Sequence, residues 1–267
     1  MKLPKAAKDA FALDMAAKFM ATHDANHEPN IAMISTVSPW NDEHLIFGDF
    51  LMWKTKKNLE NGSPISVSVI TEDLKSCFEV RGQYIGYEIA GDKFEAMSKK
   101  DLFRYSAIGL LRGVGTISVD EVYPLSVNAL GVAKEWLLAK ICGVRHQRFP
   151  EGKEMHPNVE RIANVLKGAK FLTVARDDHM EQFPVLGMRS LGDYLVIRSD
   201  LPLKIGDIIA ASVLSMDLTA FQIKGEFIGI RRSRGIKHGY IRVTNVKTQT
   251  PPLVSREVPS YNSRDSF

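Results

Sequence analysis

One β-pattern occurs twice in this chain. Leu59-Glu60-Asn61-Gly62 through Leu74, followed by Phe78-Glu79-Val80-Arg81-Gly82-Gln83-Tyr84-Ile85-Gly86, is the first copy. Leu203-Lys204-Ile205-Gly206 through Leu218, followed by Phe221-Gln222-Ile223-Lys224-Gly225-Glu226-Phe227-Ile228-Gly229, is the second. The offset is 144 residues at Gly62/Gly206 and 143 at Gly82/Gly225, so a single gap between Leu74 and Phe78 aligns them. Solenoids and propellers repeat every ~20–50 residues, so a period this long predicts a duplicated domain. Two copies of one fold in one chain can build the interface that a homodimer would build.

Length agrees with duplication, since 267 residues make about two domains of ordinary size. Composition is that of a globular protein, with 45% hydrophobic and 25% charged residues, enough for two cores. The net charge of +4, from 35 basic and 31 acidic residues, is too small and too dispersed to predict a nucleic-acid partner. It suits a small anionic ligand, or simply a mildly basic surface. Cys77 and Cys142 form neither a CxxC nor a disulfide framework, which places the expected compartment in a reducing cytoplasm. Lys2, Lys5 and Lys8 are interrupted by Asp9 and Asp14 without an apolar core, so no signal peptide is read. No run of 18 apolar residues predicts a membrane span.

The first unit is predicted over 1–140, a linker over 141–156, the second unit over 157–250 and a flexible tail over 251–267. Phe11, Met15 and Phe19 suggest an N-terminal amphipathic helix. Strands are expected over 19–24, 30–37, 45–53, 65–71, 78–89 and 113–119. Helices are expected over 54–61, ended by Gly62, and over 94–111. Ile65 to Thr71 alternates Ile/Val with Ser, the pattern of a strand with one buried face. Ala133 to Val144 and Val159 to Leu166 read as helices, 171–176 as a strand and 177–182 as a hairpin. Many short strands with glycine-marked bends and few helices predict a closed antiparallel barrel in each half, not an α/β sheet.

Chemistry concentrates in Gly48-Asp49-Phe50-Leu51-Met52-Trp53-Lys54-Thr55-Lys56-Lys57-Asn58-Leu59. A strand here runs into a helix whose first turn offers backbone N–H groups, a hydroxyl and clustered ammonium groups. Helix N-termini attract phosphate because unsatisfied donors and the positive dipole end face the anion. Lys54 and Lys57 add charge-assisted donors, which are roughly twice as strong as neutral ones. The plainer reading is a solvated basic helix face with a Thr cap.

The run Gly48…Met52-Trp53-Lys54-Thr55-x-x-Asn58-Leu59 resembles the phosphate-binding segment of the FMN-binding split barrels, the pyridoxamine 5′-phosphate oxidase-like superfamily. It is most similar to the small bacterial FMN-binding proteins of that group. Phe78-Glu79-Val80-Arg81-Gly82, Gly91-Asp92-Lys93-Phe94-Glu95-Ala96-Met97, and Ala21-Thr22 followed by Pro29-Asn30-Ile31 resemble further family segments in the right order. The resemblance covers most of residues 12–126. It implies a mainly β fold with flanking helices, made of two tandem split β-barrels of the Greek-key, FMN-binding type. It implies that Lys54 and Thr55 contact the flavin phosphate, with Asn58 close by. It also implies that Met33, Ile34 and Ser35 lie along the ribityl chain and ring, and that Phe47, Gly48 and Asp49 face the ring's polar edge.

The second copy lacks Lys-Thr-x-x-Asn. Ser199-Asp200-Leu201-Pro202 stands there instead, and Asp200 would repel a phosphate while Pro202 removes a backbone donor. One FMN per chain is therefore expected, in a monomeric pseudo-dimer or a homodimer. No histidine stands at HExxH or HxxxH spacing with matching carboxylates, so no metal is expected. Arg231 to His238 reads as an exposed basic hairpin tip, and Trp40, Trp53 and Trp136 as packing residues. The expected function is a flavin-dependent oxidoreductase acting with a small-molecule substrate or electron donor, without nucleic acid or membrane. The alternatives are a non-catalytic flavin carrier, sensor or electron-transfer module, or a haem- or deazaflavin-binding split barrel.

Overall fold

A computed structural model of the chain describes residues 1–14, 16–49, 52–71, 76–100, 111–125, 170–185, 189–191, 194–214, 220–233, 236–249 and 261–262. By contact the chain divides into two compact units. One comprises Met1–Val127 with Ala175–Gln182; the other comprises Asn128–Val174 with Phe183–Phe267.

The first unit runs α1 (Lys5–Ala12), β1 (Ala17–His23), β2 (Pro29–Met33), β3 (Ser38–Pro39), β4 (His44–Asp49), α2 (Trp53–Glu60), β5 (Ile65–Ile70), β6 (Cys77–Glu88), α3 (Asp92–Ser98) and β7 (Gly113–Pro124). Its seven strands form one antiparallel sheet ordered β2-β1-β5-β6-β7-β4-β3. The later strands are β8 (Lys170–Ala175), β9 (Met180–Pro184), β10 (Arg189–Leu191), β11 (Tyr194–Arg198), β12 (Ile208–Leu214), β13 (Ala220–Ser233), β14 (Ile236–Gln249) and β15 (Tyr261–Asn262). Read from its other end, the second sheet is ordered β9-β8-β12-β13-β14-β11-β10, with β15 added on β14. Strand for strand this is the order of the first sheet. The protein is thus mainly β with flanking helices, two antiparallel split-barrel sheets in tandem.

The repeated sequence keeps its register as well. Ile65 faces Gly82 across β5–β6, and Ile209 faces Gly225 across β12–β13. Bulges fall at Arg81/Gly82 and Tyr84/Gly86 in one sheet and at Lys224/Gly225 and Phe227/Gly229 in the other. A bulge increases local twist and bends the strand, which is how a flat sheet begins to curl. Closure stops short of the predicted ring: among the described residues each hydrogen-bonded path is open, ending at β2 and β3 or at β9 and β10.

Each unit has its own apolar core. Met20, Val37, Leu45, Phe47, Val67, Ile117 and the α1 residues Ala7 and Phe11 fill the first; Leu172, Leu195, Ile209, Ile223, Phe227 and Ile241 belong to the second. All of β5 is buried, including Ser66 and Ser68, so the expected one-sided strand is covered on both faces. The cover over Ser66 is Gln182, whose Nε2 donates to Ser66 O at 2.8 Å, Ser66 Oγ at 3.0 Å and Phe19 O at 3.3 Å. Ser66 is tolerated inside because protein supplies its hydrogen bonds in place of water, its Oγ also donating to Glu79 Oε1 at 2.7 Å. The Ser68 hydroxyl is buried without a hydrogen-bond partner among the described residues.

Other boundaries differ from expectation. Phe19 lies in β1, not in the N-terminal helix, because α1 stops at Ala12. β2 ends at Met33 and β4 at Asp49, and Trp53 already opens α2. α3 spans Asp92–Ser98, residues 101–110 of the expected helix lie outside the described residues, and β7 continues to Pro124. The expected tail is partly structured, since β15 pairs with Asn245 and Val246 and so satisfies a strand edge. Arg231 and Arg232 are exposed beside Lys237 in the β13–β14 hairpin, whereas His238 is buried and stands opposite Arg198 in the β11–β14 register. The predicted helices at 133–144 and 159–166, the linker, Trp136 and Cys142 lie outside the described residues. No helix among the described residues is long and apolar enough to cross a membrane.

Candidate functional site

The sequence segment from Gly48 to Leu59 becomes the turn from β4 into α2. Asp49 Oδ1 accepts the Met52 N–H at 3.3 Å, which folds the chain from strand to helix. No side chain caps α2, so its first turn lacks the usual Ser/Thr/Asp partner. Thr55, Asn58 and Leu59, spaced i, i+3, i+4, form the buried face, while Trp53, Lys54, Lys57 and Glu60 are exposed. The Lys54-Thr55 pair is therefore divided between solvent and interior.

Thr55 and Asn58 anchor the helix through a buried polar network. Asn30 Nδ2 donates to Thr55 Oγ1 at 3.2 Å and to Thr22 Oγ1 at 3.5 Å, and Asn58 Nδ2 donates to Thr22 Oγ1 at 3.0 Å. All four side chains are buried. Each bond contributes about 1 kcal/mol net, and stranding a buried partner costs about 1–3 kcal/mol. The network holds α2 against β1 and β2 with Lys54 outward.

Asp49 is the second anchor, 1% exposed. Its Oδ2 accepts from Tyr87 Oη at 2.9 Å and Arg112 Nη2 at 3.1 Å, and lies 3.5 Å from Lys56 Nζ. Asp49 faces Gly113 in the β4–β7 register. A Cβ on Gly113 would stand 2.3 Å from Tyr87 Cζ, so the missing side chain is the space through which the tyrosine reaches the carboxylate. Burial pushes the Asp49 pKa upward, but the Tyr87, Arg112 and Met52 hydrogen bonds outweigh it and hold the carboxyl below its ordinary value. Burial and the Asp49 hydrogen bond both raise the Tyr87 pKa. Burial works against the Lys56 charge, yet Tyr87 and Asp49 prevail and its pKa is raised.

Above Asp49 the cations line a cleft formed by Trp53, Lys54, Lys56, Lys57, Glu60 and Arg112. The Arg112 guanidinium lies 4.6 Å from the Trp53 ring centroid, and Lys56 Nζ lies 3.8 Å from that of Tyr87. Trp53, expected to pack inside, is 74% exposed. Four cationic side chains, with Glu60 on the rim and Asp49 beneath, stand beside an uncapped helix start and suit an anion that carries an aromatic or flat group.

The remaining predicted residues line the sheet next to this turn. Met33 ends β2 opposite Phe19; Ile34 is buried and Ser35 half-buried in the segment that leads to β3. Buried Lys18 ties that segment down, donating from Nζ to Val37 O at 2.8 Å and Ser35 O at 3.4 Å. Burial, then Lys100, lowers the Lys18 pKa to about 8. Phe47 is buried, its ring over Gly115, the residue opposite it in β7. Gly48 N–H donates to Thr36 Oγ1 at 3.1 Å, and the same hydroxyl donates to Gly48 O at 3.2 Å. Sequence reasoning missed Thr22, Asn30, Lys56, Tyr87 and Arg112 as parts of the site. Asn30 and Thr22 carried a signal in the opening-hairpin segments and Lys56 in the basic run of 48–59, whereas Tyr87 and Arg112 carried none.

In the second unit, 199–207 contains no helix among the described residues. Lys204 N–H donates to Asp207 Oδ2 at 2.8 Å, and Gly206 N–H to Phe227 O at 2.9 Å. Among the described residues no three His, Cys, Asp or Glu side chains group to hold a metal. Cys77 is buried, and burial followed by Glu79 pushes its thiol up to about 12.

No protein-family model and no curated protein matches the chain. Among solved structures, HupZ of Group A Streptococcus is 23% identical, covering 47% of this chain and 95% of its own, with a TM-score of 0.40. An FMN-binding protein from Syntrophomonas wolfei is 22% identical, covering 46% and 86%, with a TM-score of 0.41. General Stress Protein 26 from Bacillus anthracis is 17% identical, covering 41% and 83%, with a TM-score of 0.32. The similarity of this chain to these solved structures extends over just under half of its length.

Proposed function

We propose that the chain is a flavoprotein that holds FMN noncovalently in its first unit. The observation that carries this reading is the cleft at the start of α2, where Lys54, Lys56, Lys57 and Arg112 converge beside a helix N-terminus that no side chain caps. A phosphate monoester fits such a donor set, since backbone N–H groups and ammonium or guanidinium groups both favour a dianion. In this reading Lys54, with the first-turn N–H groups, binds the phosphate, and Thr55 and Asn58 hold the helix that presents them. The segment Met33–Ser35 and the strand residues Phe47 and Gly48 flank the rest of the cofactor, as the sequence resemblance implies. The Asp49 carboxylate, buried beneath the cleft cations, serves the phosphate end instead of the ring edge.

Bound FMN would supply hydride or electron transfer with a small organic or nicotinamide-type partner, the chemistry of a flavin-dependent oxidoreductase. The chain's own part is to bind, orient and screen: cations fix the phosphate end, and Lys18 fixes the backbone of residues 35–37. The protein acts in the cytoplasm, as a monomeric pseudo-dimer or a homodimer. An absorbance spectrum of the protein titrated with FMN tests the reading. Saturable binding with a perturbed flavin spectrum is the expected result, and a haem-type spectrum or no binding overturns it.

A further inference from the structure

We infer that Asp49 is a positioning residue that makes the cleft select a phosphorylated flavin over an unphosphorylated one, by holding Arg112 and Lys56 where the phosphate enters. The inference rests on the FMN reading and deepens it.

Three features set Asp49 apart from an ordinary surface carboxylate. It is 1% exposed, although a buried carboxylate is costly unless it is fully paired. Its partners are gathered from distant parts of the chain: Met52 from its own turn, Lys56 from α2, Tyr87 from β6 and Arg112 from the residue before β7. Arg112 is fixed on two sides, by the carboxylate at 3.1 Å and by the Trp53 ring at 4.6 Å, and Lys56 by the carboxylate at 3.5 Å and the Tyr87 ring at 3.8 Å. Two long side chains that would otherwise sample many rotamers are thereby held in one place. A cation whose rotamers are already restricted loses less entropy when the anion arrives. Glu60 is the carboxylate on the rim of the same cleft, whereas the buried partner of both cations is Asp49, 3.1 Å from Arg112 and 3.5 Å from Lys56.

Positioning and bulk charge predict opposite signs. Asp49→Asn removes one negative charge beneath a cationic cleft, so electrostatics alone would tighten phosphate binding. If Asp49 acts by positioning, the same substitution releases Arg112 and Lys56 and weakens it. The experiment measures the affinities of FMN and riboflavin for the full-length protein and for Asp49→Asn, Tyr87→Phe and Arg112→Lys. Expected is a fall of about tenfold in the FMN-to-riboflavin affinity ratio for Asp49→Asn, close to 1.4 kcal/mol. Riboflavin affinity, which involves no phosphate, should hold and so report an intact fold. Arg112→Lys, which keeps the charge but loses the fork and the stacking on Trp53, should lower the ratio in the same direction. Tyr87→Phe should lower it less. Should Asp49→Asn fail to fold, the Arg112→Lys ratio decides alone. An unchanged or raised ratio in Asp49→Asn, or in Arg112→Lys where that variant decides, overturns the inference while leaving the FMN reading intact. A wild-type protein that binds neither flavin overturns the FMN reading itself, and the inference with it.

Discussion

The connection from β4 to β5 and the connection from β11 to β12 occupy the same place in two sheets of one strand order, and only the first carries a helix. At the repeat offset of 144, Asn58 corresponds to Pro202, Lys56 to Asp200 and Thr55 to Ser199. The ladder extends the correspondence: Ala21 faces Ser66 and Thr173 faces Ala210, so the place of Thr22 is taken by Val174. The network that roots α2 thus has an apolar side chain at its centre in the second unit. A proline inside a helix costs about 3 kcal/mol or more, so Pro202 also disfavours the helix itself. The lesson is that the frame and the site are separable. Register and bulges are shared by both units, whereas the cationic cleft depends on a few side chains of one.

The largest effect expected from this difference is stoichiometric: calorimetric titration with FMN should saturate at one per chain. Saturation at two would show that the second unit builds a cradle without a helix. Next, Lys54→Ala should weaken FMN binding by about 1.5–3 kcal/mol, the range for a hydrogen bond to a charged group. That is roughly a 10- to 150-fold loss. Asp200→Lys, at the equivalent end of the second unit, should leave FMN affinity where it is; a gain in sites or affinity there would erase the contrast.

The shared frame gives a matched pair. A Cβ on Gly82 would stand 1.8 Å from Ser118 O, and one on Gly225 would stand 2.5 Å from Arg242 O. Gly82→Ala and Gly225→Ala should each destabilise by about 1–3 kcal/mol in denaturant unfolding, as overpacking does. A neutral result at one position would mean that the two bulges are not equivalent. The smallest effect is a contrast at the helix: Thr55→Val should cost about 1–3 kcal/mol by removing the buried hydroxyl that accepts from Asn30 Nδ2, while Ser199→Ala should stay within about 0.5 kcal/mol. Equal costs for both would deny the network its role.

What the sequence made legible was local or periodic. The β5 pattern, the helix over 54–61 with Gly62 beyond its end, and the bend-marking Gly82 and Gly86 all follow from spacing along one segment. Gly62 indeed has a φ of +82°, and its N–H donates to Leu59 O at 3.0 Å. The Asp49 cluster could not be read in this way. Tyr87 and Arg112 lie 38 and 63 residues beyond Asp49, and they meet it only because β4 and β6 both pair with β7. The inward turn of Thr55 was hidden for a related reason: adjacent residues on a helix point about 100° apart, and which one faces the core is decided by β1 and β2. The second buried face of β5 depended on Gln182, 116 residues from Ser66.

The hydroxyl of Thr36 has a consequence of a different kind. β3 pairs with β4 only at Leu45 and Ile46, so beyond that point the outer edge of β4 has no strand beside it among the described residues. At Gly48 the missing ladder is supplied by one side chain, which accepts the N–H and donates to the carbonyl. Amide exchange with deuterated solvent at Gly48 is therefore governed by opening of the short segment that carries Thr36, not by separation of two strands. Local openings of this sort occur at free energies below that of global unfolding. The Gly48 amide should exchange sooner than the amides paired between β5 and β6, and so serve as a built-in clock for motion of the segment that Lys18 holds in place.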